Sequence, residues 1–123
     1  MFKYLIILLS TSMSAFAQYF LKVGVGRTNL LDSFKNHNLF YTLKIVFTDF
    51  YIIIGFSLYF LSAVFWLFVL SKFNLSKAYP LASLGYVFTL MIGFYFLNEP
   101  VNLMSILAII LIISGVFVLS YSN

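Results

Sequence analysis

Four long apolar runs with little between them constrain this chain more than any motif in it. They cover about residues 2–21, 50–70, 77–97 and 101–120. Each is close to the roughly 20 residues that an α-helix needs to cross a hydrocarbon core of about 30 Å. Backbone groups in lipid must be satisfied internally, so runs of this length cross as helices. Hydrophobic residues fill 63% of the positions and charged residues only 8%, too few to dress a water-soluble surface. The same balance excludes intrinsic disorder. The expectation is an all-α, integral membrane, four-transmembrane-helix bundle, forming a single transmembrane domain over residues 1–123.

The first run also imitates a signal peptide. Lys3 gives a basic start, Leu5 to Leu9 an apolar stretch, and Ala15-Phe16-Ala17 a small-x-small site. The apolar character continues through Tyr19, Phe20 and Leu21, which favours an uncleaved first span. Gly24, Gly26 and Asn29 are expected to break that helix, with Asp32 or Ser33 capping a new one. Over residues 34–49, Leu39, Phe40, Leu43, Val46 and Phe47 share one helical arc, and His37, Thr42, Lys44 and Thr48 fall opposite. This amphipathic segment suits the membrane interface, or else extends the second span into headgroups. Pro80 falls in the first turn or two of the third span, and Asn98-Glu99-Pro100 makes the last turn. With four spans both ends share a side. Lys3, Lys72 and Lys77 then face Lys22, Arg27, Lys35 and Lys44 across the bilayer, with no bias to fix the orientation.

The polar inventory excludes several functions. There are no cysteines, one histidine and three acids, too few for a metal cage, and no cofactor is expected. The net charge of +4 belongs beside anionic headgroups rather than nucleic acid. His37 stands alone, and Gly24-Val25-Gly26-Arg27 lacks the strand that a phosphate-binding glycine loop follows, so an enzyme is not expected. No carboxylate lies mid-span, whereas intramembrane proton relays use Asp, Glu or His.

Polar side chains inside lipid need a partner or a wet cavity, so they mark candidate sites. Ser10, Ser14, Gln18 and Lys22 recur every four residues and form one stripe on the first helix. Such a stripe either lines a substrate path or packs helix against helix. In the third span, Lys77, Tyr79, Pro80 and Ser83 interrupt a greasy helix. Glu99 precedes the fourth helix, where it either meets the helix dipole or takes part in transport.

Three pieces carry a resemblance to a known family: Ser14-x-x-x-Gln18-x-x-x-Lys22, Ala78-Tyr79-Pro80-Leu81-x-Ser83-Leu84, and Glu99-Pro100-Val101 before an Ile-rich helix with Gly115. The chain resembles the small multidrug resistance and drug/metabolite transporter superfamily. Within it, the chain most resembles the EamA-like small subunits of the undecaprenyl-phosphate-aminoarabinose flippase. The likeness is weakest over residues 23–50, where the connection is longer. Drug exporters of this type carry a glutamate in the first helix, and its place falls at Ser14; their third-helix aromatic falls at Ala82.

The resemblance implies a dimer, with a second copy or a similar small subunit, in the bacterial inner membrane. It implies flipping of a polyprenyl-phosphate-linked sugar. Lys22, with Arg27 or Lys77, would attract the phosphate, and Ser14, Gln18, Tyr79 and Ser83 would replace water around the sugar, with Pro80 and Glu99 beside them. The alternatives are a small exporter of drugs or metabolites and a non-transporting accessory subunit of a membrane complex.

Overall fold

A computed structural model describes residues 1–122, which form seven helices and no strand. They are α1 (Phe2–Thr28), α2 (Leu30–Asn36), α3 (Leu39–Thr48), α4 (Phe50–Lys72), α5 (Leu75–Ala82), α6 (Gly85–Leu97) and α7 (Leu103–Tyr121). Four stretches are long and apolar enough to cross a membrane: α1, α4, α5 with α6, and α7. The chain is a multi-pass membrane protein.

The central helix is α1, which packs most extensively on α4 and next on α6. Its seam with α4 is antiparallel and built on small residues. A Cβ placed on Gly55 would lie 2.6 Å from Cγ of Leu21, and one on Gly24 would lie 2.6 Å from Cγ1 of Ile52. Further along, the Ser10 hydroxyl donates to the Ser62 carbonyl at 2.9 Å. Lipid offers no hydrophobic drive between helices, so close backbone approach and hydrogen bonds hold such a seam. An apolar cluster of Ile7, Val69, Ala78, Leu81 and Val116 closes the end of the bundle that carries Met1 and Lys72.

Several boundaries differ from the sequence expectation. Helix α1 runs through Gly24 and Gly26 and stops at Asn29, which takes a left-handed conformation (φ 46°). Glycine costs a helix up to about 1 kcal/mol relative to alanine. At Gly24 that cost is offset by the close approach to Ile52, which a side chain would block. Asn29, not Asp32 or Ser33, precedes α2. The segment over 34–49 is divided: His37 is extended, and the Asn38 side chain accepts from Tyr41 N–H to start α3. Asp49 ends α3 and caps α4, accepting from Ile52 N–H at 3.0 Å. So α3 is a separate helix and not an extension of α4. Its apolar arc stands outward, with Phe40 77% and Phe47 75% exposed, while Thr42 is buried.

The third span begins at Leu75 and breaks at Ser83-Leu84. Pro80 has no N–H to give to the turn before it. Beyond it the chain tightens into bonds between residues three apart: Ser83 N–H to the Pro80 carbonyl at 3.0 Å and Leu84 N–H to the Leu81 carbonyl at 3.2 Å. The fourth helix starts at Leu103 rather than Val101, capped by Asn102, whose side chain accepts from Ser105 N–H at 2.8 Å. Val116 is the one buried residue of α7.

Candidate functional site: a polar groove ending at an ion pair

Two adjoining hollows lie along the face of α1 that carries the polar stripe. The larger, about 720 Å³, opens between α1, α4 and the broken α5–α6 span. Helix α1 contributes Ser10, Ser14 and Gln18; α4 contributes Tyr59, Ser62 and Trp66; the third span contributes Tyr79, Tyr86 and Thr89. Ala15, Ala63, Ala82 and Gly85 leave the space open, and among the described residues no charged one lines it. The smaller hollow, about 140 Å³, continues toward the other end of α1 and is lined by Gln18, Tyr19, Lys22, Thr89, Gly93 and Glu99 among others. Ala15, Gln18 and Thr89 belong to both, so Gln18 stands at the junction.

Local chemistry sorts the polar groups. Thr11 donates to the Ile7 carbonyl at 2.8 Å, Ser62 to the Tyr59 carbonyl at 2.8 Å and Thr89 to the Tyr86 carbonyl at 3.0 Å. These hydroxyls satisfy themselves on their own helices, as Ser and Thr do in lipid. Ser10 is committed to Ser62 across the seam and so serves packing. Ser14 and Gln18 are left facing the hollows, without a side-chain hydrogen bond among the described residues.

The groove ends at an ion pair between Lys22 Nζ and Glu99 Oε1. Asn98 is left-handed (φ 52°), which turns the chain back so that Glu99 N–H donates to the Gly93 carbonyl at 2.9 Å. The carboxylate then lies over Gly93, where an added Cβ would come within 2.6 Å of Oε2. Glu99 is thus held beside α1, and Asn102 takes the capping position of α7. The two side chains remain 62% and 42% exposed.

The other candidate residues lie apart. The Arg27 guanidinium sits 4.6 Å from the Tyr51 ring centroid, outside both hollows. Lys77 donates to the Ser122 carbonyl at 2.6 Å, at the end of the bundle opposite Lys22, and ties α5 to the end of α7. Pro80 and Ser83 line neither hollow; the Ser83 hydroxyl donates to the Pro80 carbonyl and shapes the break. Tyr79 does face the larger hollow, edge-on to Trp66 with centroids 6.4 Å apart. Structure brings together Ser14, Gln18, Lys22, Tyr79 and Glu99, and adds Tyr59, Trp66, Tyr86 and Thr89. The added residues had a signal in their spacing: Tyr59, Ser62 and Trp66 are three and four apart on α4, as Tyr86 and Thr89 are three apart on α6.

Residues 33–121 match the model of a family described as the EamA-like transporter family. That range leaves out α1 and its polar stripe. A probable 4-amino-4-deoxy-L-arabinose-phosphoundecaprenol flippase subunit ArnF of Photorhabdus laumondii is 43% identical over 68 residues, covering 54% of this chain and 54% of its own length. A probable flippase subunit ArnE for the same compound, from Pseudomonas syringae, is 40% identical over 52 residues, covering 42% of this chain and 48% of its own. The chain thus spans about half the length of the curated relatives it matches. No solved structure matches.

Proposed function

The chain belongs to the EamA-like transporter family, and from that premise we propose that it carries a polyprenyl-phosphate-linked aminosugar between the leaflets of a bacterial inner membrane. The observation that carries this reading is the groove: uncharged and aromatic through its larger hollow, open at the side, and ending at Lys22 and its partner Glu99. Its larger hollow falls in the range of about 300–1,000 Å³ common to small-molecule sites. A sugar needs replacements for its water, and Ser14 and Gln18 supply them from α1. Tyr59, Trp66, Tyr79 and Tyr86 offer ring faces to the apolar side of the sugar. Lys22 meets the phosphate where the groove reaches the bilayer edge. At about 1.5 Å per residue, Lys22 lies about 30 Å along α1 from Phe2, close to the thickness of the hydrocarbon core. The polyprenyl tail stays in lipid beside the open groove.

The groove of one chain is open, and the relatives are named as subunits. We assign the missing wall to a second small subunit, either another copy or a similar chain. The test is reconstitution into liposomes, alone and with candidate partner chains. The cargo is a short-chain polyprenyl-phosphate aminosugar in one leaflet, read by its reaction with an impermeant amine reagent. Protein-dependent arrival in the other leaflet, lost in Lys22→Ala with helix content intact, is the expected result. Transport that survives Lys22→Ala removes the phosphate role of Lys22.

A further inference from the structure

Glu99 raises a question that transport of an anionic lipid leaves open. The cation best placed to receive a phosphate already holds a carboxylate. We propose that Glu99 is the resident, displaceable occupant of the Lys22 seat, so that a lipid phosphate enters by exchanging for it. This rests on the reading of the groove as a path for a phosphate-linked lipid, and adds what occupies the Lys22 seat at rest and what displaces it.

Three features carry the inference. First, the pair stands at the end of the smaller hollow, which opens into the larger one past Gln18, so whatever binds Lys22 stands at the mouth of the groove. Second, the carboxylate is placed by dedicated backbone geometry. The left-handed Asn98 folds the chain back, the Glu99 N–H bonds to the Gly93 carbonyl, and Gly93 leaves the space that the carboxylate fills. Third, the pair is held by nothing else. Lys22 is mostly exposed and Glu99 partly so, and no further hydrogen bond fixes either side-chain terminus among the described residues. Exposed pairs of this kind are weak. A charged oxygen arriving on a lipid therefore competes on even terms, and the groove contacts made by its sugar add to its side.

Exchange of anion for anion also gives selectivity. An anionic lipid replaces the lost pair with an equivalent one and sends Glu99 toward water. A neutral lipid would break the pair and offer Lys22 nothing. A cationic cargo would be drawn to Glu99 instead, which reverses the expected effect of removing that carboxylate.

Two variants test this without touching Lys22. Glu99→Gln removes the charge. Gly93→Ala keeps every charge but places a methyl where Oε2 rests, and the flexible end of Glu99 can move aside. The full chain in detergent, alone and together with the candidate partner chains of the liposome assay, is measured in two ways. One is the rate at which a water-soluble acylating reagent labels Lys22 without ligand, read by mass spectrometry. The other is the dissociation constant of a fluorescent short-chain prenyl phosphate. Both variants should label at Lys22 faster and bind the probe about two- to fivefold more tightly, the scale of an exposed ion pair. Adding Lys22→Ala to either should remove the gain. Helix content and monodispersity establish that each variant is folded. Unchanged or weaker probe binding in Glu99→Gln and Gly93→Ala, with wild-type binding dependent on Lys22, overturns the exchange alone. A wild type that does not bind the probe in a Lys22-dependent way overturns the phosphate-lipid reading, and the exchange with it.

Discussion

Gly55 and Gly26 are both helical glycines, yet replacing each with alanine should move stability in opposite directions. Alanine favours a helix over glycine by up to about 1 kcal/mol. At Gly26 an added Cβ meets nothing within 4 Å, and the residue lies in the last turn of α1, beyond Lys22. Gly26→Ala should therefore stabilise by up to about 1 kcal/mol. At Gly55 the same atom would lie 2.6 Å from Cγ and 2.7 Å from Cδ2 of Leu21, and 3.0 Å from its backbone nitrogen. A rotamer change can move the side-chain atoms but not the nitrogen, so α1 and α4 must part. Overpacking of this kind costs about 1–3 kcal/mol. With the helix gain set against it, Gly55→Ala should lose up to about 2 kcal/mol net. Separation of the seam also stretches the Ser10–Ser62 bond, 2.9 Å in the native chain. The assay is reversible unfolding by SDS titration in mixed micelles, followed by Trp66 fluorescence. Equal shifts for the two variants, or a stabilised Gly55→Ala, would refute the view that glycine at this seam serves close approach.

Other outcomes follow from single contacts. Asn102→Ala removes the acceptor for Ser105 N–H and its hydroxyl, and should cost about 0.5–2 kcal/mol in the same titration. Tyr79→Ala should slow transport in the liposome assay by about two- to twelvefold, the weight of an aromatic contact of about 0.5–1.5 kcal/mol. Tyr79→Phe should keep the rate if, as proposed, the ring face and not the hydroxyl meets the cargo; equal losses in both would assign the role to the hydroxyl.

What the sequence made legible follows from how far each cause reaches along the chain. The four spans could be read because hydropathy is a property of consecutive residues. The Ser14, Gln18 and Lys22 stripe could be read because a four-residue repeat returns to one helix face. Tyr59, Trp66 and Tyr86 share helix faces with Ser62 and Thr89, but spacing alone does not say whether such a face meets lipid or a groove. The true end of α1 could not be read from Gly24 and Gly26, because the packing that favours glycine at Gly24 is the close approach of Ile52 on another helix. The pairing of Lys22 with Glu99 spans 77 positions. The Pro80 break was visible, but not that it would fall at Ser83-Leu84.

The polar stripe on α1 has a consequence for how the protein enters the membrane. Among the four spans α1 has the lowest mean hydropathy, 1.4 against 2.8 for α7. A helix like α7 is stable in lipid by itself, while Ser10, Ser14 and Gln18 make α1 the costlier lone resident. The shelter for Ser10 is a carbonyl on α4, and that helix leaves the ribosome later. Until α4 arrives, the helix that carries the groove is the least secure in the bilayer. Integration of α1 is therefore expected to be less complete in a chain cut before Phe50 than in one that carries α4, as read by protease protection.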